Sequence, residues 1–343
     1  MKILFYNDRP DVQSTLLTWT LAEELRLRGH YVVWGKPTDV PKGYFDWVRV
    51  SGADDAWNAV HFARKIGAKV HVHLEGVAYW RVGLDPATSW GYDADLCPEE
   101  IQKWQDHYRA WMSAAYEADS CTVNGVRQVA AIENGLFGGR ILPNCHLLAC
   151  GADARYALAL PDWPKQDYFV TVSRLEPNKK VFMIAEALAL LPEEHRLPWA
   201  VIGYGAKNQV DTLLQYCKLN NIKLHLRHCF GAEKWRLIKQ ARLMIQGWSG
   251  IPPAEGLLCR VPVVSFDHAD IREMYDDSVT WAKDNDPCDM ADFLCETGKG
   301  HMSFDISPAD ALAELMGGRL YACTQEQAAE RFEKILMGDT DNG

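Results

Sequence analysis

Three short stretches in the second half of the chain set cations, glycines and a carboxylate at spacings that suit a phosphorylated ligand. In VSRLEPNKK, an apolar run delivers Ser173 and Arg174 to a turn, and Lys179 and Lys180 stand near the start of the next helix. Arginine offers a bidentate fork to phosphate and lysine a mobile point charge. A helix N-terminus adds N–H donors and the positive end of a dipole. In VIGYGA, Gly203 and Gly205 follow an apolar strand and permit close backbone approach to a ligand. Asn208 stands three residues after Gly205, so the full G-x-G-x-x-G of a dinucleotide site is absent. In SGIPPAEGLLCRVPVVSFD, two prolines suit a first helical turn, Ser249 and Gly250 leave small residues and amides ahead of it, and Glu255 lies one turn inside. Each stretch alone also suits a plain turn or a solvated surface. Together they describe a nucleoside-diphosphate site, with cations and helix ends for the diphosphate and a carboxylate for ribose hydroxyls.

Such a site needs parallel strands, because ligands settle beyond the carboxyl ends of parallel sheets. The chain supplies them. KILFY, HYVVWG and KVHVHLEG are short apolar runs separated by helical patterns, and the first helix, STLLTWTLAEELRLRG, stops on Gly29. DSCTVNG and GRILPNC read as the last strands of the first half. A second alternation runs through DYFVTVSRL, PWAVIGYG, IKLHLRHCF and RLMIQGW. Between them periodicity fails and prolines gather at 161 and 164. The expected layout is a Rossmann-like domain over 1–155, a linker over 156–166, a second Rossmann-like domain over 167–320 and a closing amphipathic helix over 321–338.

The 343 residues exceed one ordinary core, and 48% hydrophobic with 24% charged residues is a soluble globular composition. A net charge of −10 argues against a nucleic-acid acceptor and against a general anionic-membrane binder, leaving room for a local basic cleft or a peripheral membrane contact. The ten cysteines form no C-x-x-C pair and several lie in apolar runs, which predicts reduced thiols and a cytoplasmic protein. The opening apolar run is too short for a signal peptide.

The three stretches, in this order, resemble the second-half motifs of the family-4 retaining glycosyltransferases. RGHYVVWG, KVHVHLEG and RILPN…CGADARY are similar, more loosely, to that family's first half. The resemblance implies the GT-B fold, two doubly wound α/β domains facing a central cleft, with the closing helix packed back on the first domain. It implies that Arg174 and Lys179 neutralise the diphosphate of a nucleotide-sugar donor and that Glu255 holds the ribose. The amides around Ser249, Gly250 and Ile251 would face the donor, and His73 would face the cleft near the transferred sugar. It further implies retention at the anomeric carbon through a front-face path, no metal and no cofactor, and a glycan, lipid-linked or small-molecule acceptor. The chain departs from the pattern where a second glutamate is usual, eight residues before Glu255, and carries Gly247 there; Arg260 also replaces a usual glycine. A catalytically silent nucleotide-sugar binder and a same-fold nucleotide-sugar epimerase are the alternatives.

Other constellations read as decoys. The acid pairs at 93–95 and 284–286 sit among turn formers and are expected to be solvated. His71 and His73 share one strand face, and no third ligand stands at a metal-binding spacing. Tyr79, Trp80, Trp90 and Tyr92 could stack on an acceptor sugar or anchor their own loop.

Overall fold

Strands and helices alternate along the chain and sort into two units, Met1–Cys150 with Gln325–Gly343, and Gly151–Thr324. The computed structural model describes residues 1–6, 13–74, 98–124, 142–149, 151–176, 179–248, 250–267, 272, 274–298, 307–317 and 323–339. In chain order, the first unit holds β1 (Lys2–Phe5), α1 (Gln13–Leu27), β2 (Tyr31–Trp34), β3 (Trp47–Ser51), α2 (Ala53–Ile66), β4 (Lys69–Leu74), α3 (Pro98–Tyr116), β5 (Ser120–Val123) and β6 (Cys145–Leu147). The second holds β7 (Gly151–Ala152), α4 (Ala154–Ala159), β8 (Phe169–Val172), α5 (Val181–Leu190), β9 (Trp199–Ile202), α6 (Lys207–Leu219), β10 (Leu224–Arg227), α7 (Gly231–Gln240), β11 (Leu243–Gln246) and α8 (Pro252–Leu258). It continues through β12 (Val263–Phe266), β13 (Thr280–Ala282), α9 (Pro287–Gly298), α10 (Pro308–Met316) and β14 (Cys323–Thr324); α11 (Gln325–Met337) then returns to the first unit. No helix among the described residues is long and apolar enough to cross a membrane.

The first sheet runs β2-β1-β3-β4-β5-β6, all parallel. Side chains alternate across it, so both faces must be apolar. Leu4 joins Val48, Val70 and Met112 on the side of α2 and α3, while Ile3 and Phe5 join Leu25 and Phe332 on the side of α1 and α11. Helix α11 buries Ala328, Phe332 and Leu336, and its Glu333 accepts from Arg28 and pairs with His30 Nε2 at 3.0 Å. Gly29 ends α1 with φ 87°, as the sequence suggests. Strand β3 was not among the expected runs. Of the expected GRILPNC strand, 139–141 lie outside the described residues, and β6 begins at Cys145 after a left-handed turn at Asn144.

The second sheet runs β10-β9-β8-β11-β12-β13, again all parallel. Its order reverses between β8 and β11, the topological switch point at which such sheets open a crevice. The change of unit falls at Cys150, ahead of the 156–166 stretch expected as a linker. That stretch is helical to Ala159, and Asp153 caps the helix by accepting from the Tyr156 amide at 2.9 Å. The residues beyond are pinned to the second unit by Lys239, whose Nζ donates to the Leu160 carbonyl at 2.7 Å and pairs with Asp162 at 3.1 Å. The prolines mark an irregular segment held on that unit.

Candidate functional site

A pocket of about 250 Å³ opens in the second unit beyond the carboxyl ends of β8, β9, β10 and β11. Ser173 and Arg174 follow β8, Gly203 and Tyr204 follow β9, His228 to Phe230 follow β10, and Trp248 follows β11. Lys179, Lys234 and Pro252 complete the wall. All three sequence stretches thus contribute to the wall, the third through Pro252 alone among the described residues.

Three cations converge there. Arg174 Nη1 pairs with Glu176 Oε1 at 2.7 Å, both side chains well exposed. Lys179 Nζ lies 5.0 Å from the Trp248 ring centroid. Burial pushes the Lys179 ammonium down to about 8; the positive charge of Arg174 acts in the same direction and Glu176 against it. Lys234, which sequence inspection did not single out, donates from Nζ to Glu255 Oε1 at 2.6 Å. Glu255 is 7% exposed, and its second oxygen, Oε2, is buried with no hydrogen-bond partner among the described residues. A buried carboxylate oxygen without a donor is costly unless a ligand supplies one.

The helix opening leaves the expected amides ahead of the prolines and closes those after them. Pro252 and Pro253 carry no N–H, and the Ala254 amide donates to Tyr275 Oη at 3.3 Å. Tyr275 Oη in turn donates to the Gly250 carbonyl at 2.6 Å. The first turn of α8 therefore contributes no open amide at these three positions. Gly250 and Ile251, ahead of the prolines, carry the described amides that remain, with Gly250 at φ 126°. Ser249 lies outside the described residues.

The glycines of VIGYGA act through packing. A Cβ on Gly203 would overlap the Ser173 carbonyl, and one on Gly205 would stand 2.6 Å from Leu175 Cβ. They bring the loops after β8 and β9 together; Gly203 lines the pocket while Gly205 backs onto Leu175. Gly247 is also closely packed. A Cβ there would fall 2.8 Å from Lys180 Cβ and nearer yet to the Lys179 carbonyl. Gly247→Ala should therefore cost about 1–3 kcal/mol by overpacking, visible as a lowered melting temperature.

Lys180 does not serve the pocket. Its side chain is buried and paired with Asp284, so that acid of the 284–286 stretch is not simply solvated. Asp286 accepts from the Cys288 and Asp289 amides at 3.1 and 3.2 Å, at the start of α9. The 93–95 pair and the loop aromatics Tyr79, Trp80, Trp90 and Tyr92 lie outside the described residues.

In the first unit, His73 lies one residue before the end of β4 and is only 3% exposed, its Nδ1 2.7 Å from Thr122 Oγ1. Burial pushes its pKa down to about 3, with the Arg49 charge adding to the effect. His71 is fully buried between Ser120 and Thr122, at 3.2 and 3.0 Å, and edge-on to Phe332 at 4.8 Å. His71 is thus a packed histidine, and His73 is enclosed in the same way.

Residues 160–294, which span the whole pocket, match the family model described as glycosyl transferases group 1. Comparison with curated proteins finds no match. Among solved structures, the chain is similar to Anabaena Alr3699/HepE in complex with UDP, at 14% identity and TM-score 0.74 over 98% of this chain and 100% of that one. The same protein in complex with UDP-glucose matches at 14% identity and TM-score 0.72, with the same coverage. Sucrose-phosphate synthase from Thermosynechococcus elongatus matches at 11% identity and TM-score 0.73 over 99% of this chain and 100% of that one. The two parallel-sheet units and this full-length likeness establish the GT-B fold.

Proposed function

We propose that the second-unit pocket binds the nucleoside-diphosphate part of a sugar nucleotide and that the chain transfers the sugar to a glycan, lipid-linked or small-molecule acceptor. The observation that carries this reading is Glu255, whose Oε1 is held by Lys234 of the wall that also carries Arg174 and Lys179, and whose buried Oε2 has no partner among the described residues. A ribose hydroxyl supplies the donor that Oε2 lacks, and the cations meet the pyrophosphate. Tyr204, His228 and Phe230 form an aromatic run, with ring centroids 5.4 and 5.1 Å apart, on which a nucleobase can stack. The group 1 match over this region supports the reading, as do neighbours whose complexes contain UDP and UDP-glucose.

In this reading Arg174 and Lys179 stabilise the charge that develops on the departing diphosphate, where fixed cations are worth most. Transfer is retaining and metal-independent, with the leaving phosphate assisting deprotonation of the acceptor on the same face. His73, enclosed in the first unit, stays neutral across the working range and brings no charge to the reaction. Buried free thiols such as Cys121, Cys217 and Cys259 fit a reducing, cytoplasmic setting.

Glu255→Gln tests the ribose contact. UDP affinity should fall ~10-fold or more, the worth of one charge-assisted hydrogen bond, while inorganic pyrophosphate binds as before in calorimetric titration. Equal losses for both ligands would remove Glu255 from ribose recognition. Gly247 favours one second reading, a nucleotide-sugar binder without transfer, because a side chain there has no space. Release of UDP from UDP-sugar only in the presence of acceptor separates the two.

A further inference from the structure

Lys179 and Lys180 are adjacent in the chain and have opposite fates. Lys179 lines the pocket, whereas the Lys180 ammonium is buried against Asp284, 5.4 Å from the Phe266 ring centroid. Lys180 also adopts a left-handed backbone, φ 53°, at the residue that opens α5. Residues bearing a side chain avoid that region, and ammonium groups avoid burial; both persist only where the surroundings over-determine them.

The surroundings do so from two sides. Asp284, just past β13, holds the ammonium. Gly247, just past β11, faces the Lys179 carbonyl and the Lys180 Cβ so closely that no side chain fits between them. Lys179 therefore has its carbonyl against Gly247 and its following residue tied down by Asp284, and its own Nζ is left over Trp248 at the pocket wall. The missing side chain at 247 and the left-handed, ion-paired residue at 180 are halves of one packing arrangement.

We propose that the buried Lys180–Asp284 pair is a positioning device that holds Lys179 in the nucleotide pocket, with Gly247 as the gap that admits it. The inference rests on the donor-site reading above and adds to it. Lys180 and Asp284 touch no ligand and act through Lys179.

The test is calorimetric titration of the full chain with UDP. Lys180→Gly keeps a residue that tolerates the left-handed backbone and removes the anchor; Asp284→Asn removes the charge partner. Each should weaken UDP binding ~10-fold in the wild-type background and less than about 2-fold when Lys179 is already alanine, because residues that act through one another are not additive. Equal losses in the two backgrounds would show a general structural role and overturn the inference, as would unchanged UDP affinity in both single variants. Should Lys180→Gly fail to fold, Asp284→Asn reads the same pair. A wild type that does not bind UDP overturns the donor reading and the anchor with it; a wild type that binds, with indifferent variants, overturns the anchor alone.

Discussion

Lys179→Ala should weaken UDP binding ~30-fold at pH 7, the order expected for one charge-assisted contact to phosphate, and should flatten the dependence of that binding on alkaline pH. In the unliganded pocket, burial has already brought the Lys179 ammonium down to about 8. A diphosphate beside it draws the pKa back up, so binding above pH 8 takes up a proton. The sign follows directly. UDP affinity is level from about pH 6.5 to 7.5, where the ammonium is already charged, and falls by up to ~10-fold per pH unit beyond about 8. Calorimetry at pH 7, 8 and 9 in buffers of different ionisation enthalpy measures both the affinity and the proton. Lys180 is also pushed down to about 8 by burial, against the pull of its Asp284 pair, but its ammonium faces Asp284 and not the ligand. An alkaline limb that survived Lys179→Ala would move the assignment to another group.

The contrast between these two lysines shows where sequence reading stops. Arg174, Lys179 and the Glu255 helix could be placed near one another from strand ends alone, since parallel sheets converge their loops on one edge. What distinguishes Lys179 from Lys180 is a left-handed backbone fixed by Gly247 and Asp284, 67 and 104 positions away, and no local spacing encodes that. Lys234, Tyr204, His228 and Phe230 were missed for a related reason. Tyr204 sits inside VIGYGA, of which only the glycines were read; Lys234 carries no motif, and the stretch IKLHLRHCF reads as one strand although β10 ends at Arg227 and its last residues line the pocket. The proline pair was legible as a helix opening, and since neither residue carries an N–H, amides for a ligand fall to the residues ahead of it, where the sequence reading placed them. Strand β3 escaped because Arg49 interrupts its apolar run. Arg49 is nevertheless buried, its guanidinium carbon 4.9 Å from the Phe5 ring centroid and 5.6 Å from that of Phe332 on α11. A helix near the end of the chain thus makes sense of a charged residue in the third strand.

Burial of the neighbouring histidines, with the same arginine adding to it, sets the largest expected effect on stability. Acidification from pH 7.5 to 5 should destabilise the first unit by about 2 kcal/mol through His73 alone, since 1.5 pH units below an ordinary histidine pKa of about 6.5 are worth roughly that much at 1.36 kcal/mol per unit. His73 is buried to 3% exposure beside Arg49 and is held down to about 3 when folded. The unfolded chain therefore binds a proton that the folded unit refuses. The contribution is fully present above pH 6.5 and is lost progressively as pH falls toward about 3. His71, pushed well below the usual range by burial and then by Arg49, adds loss of the same sign. His73→Gln can still hydrogen-bond Thr122 and cannot be protonated, so it should remove about half of the acid loss of the pair, read as the melting temperature of the first unit across pH 7.5 to 5. A variant with the full wild-type loss would place the acid sensitivity elsewhere. The same substitution bears on catalysis: an imidazole held neutral to about pH 3 cannot give transfer an acid limb near 6.5. Such a limb in the wild type, gone in His73→Gln, would mean that the ring is open to solvent and titrates normally in the working enzyme.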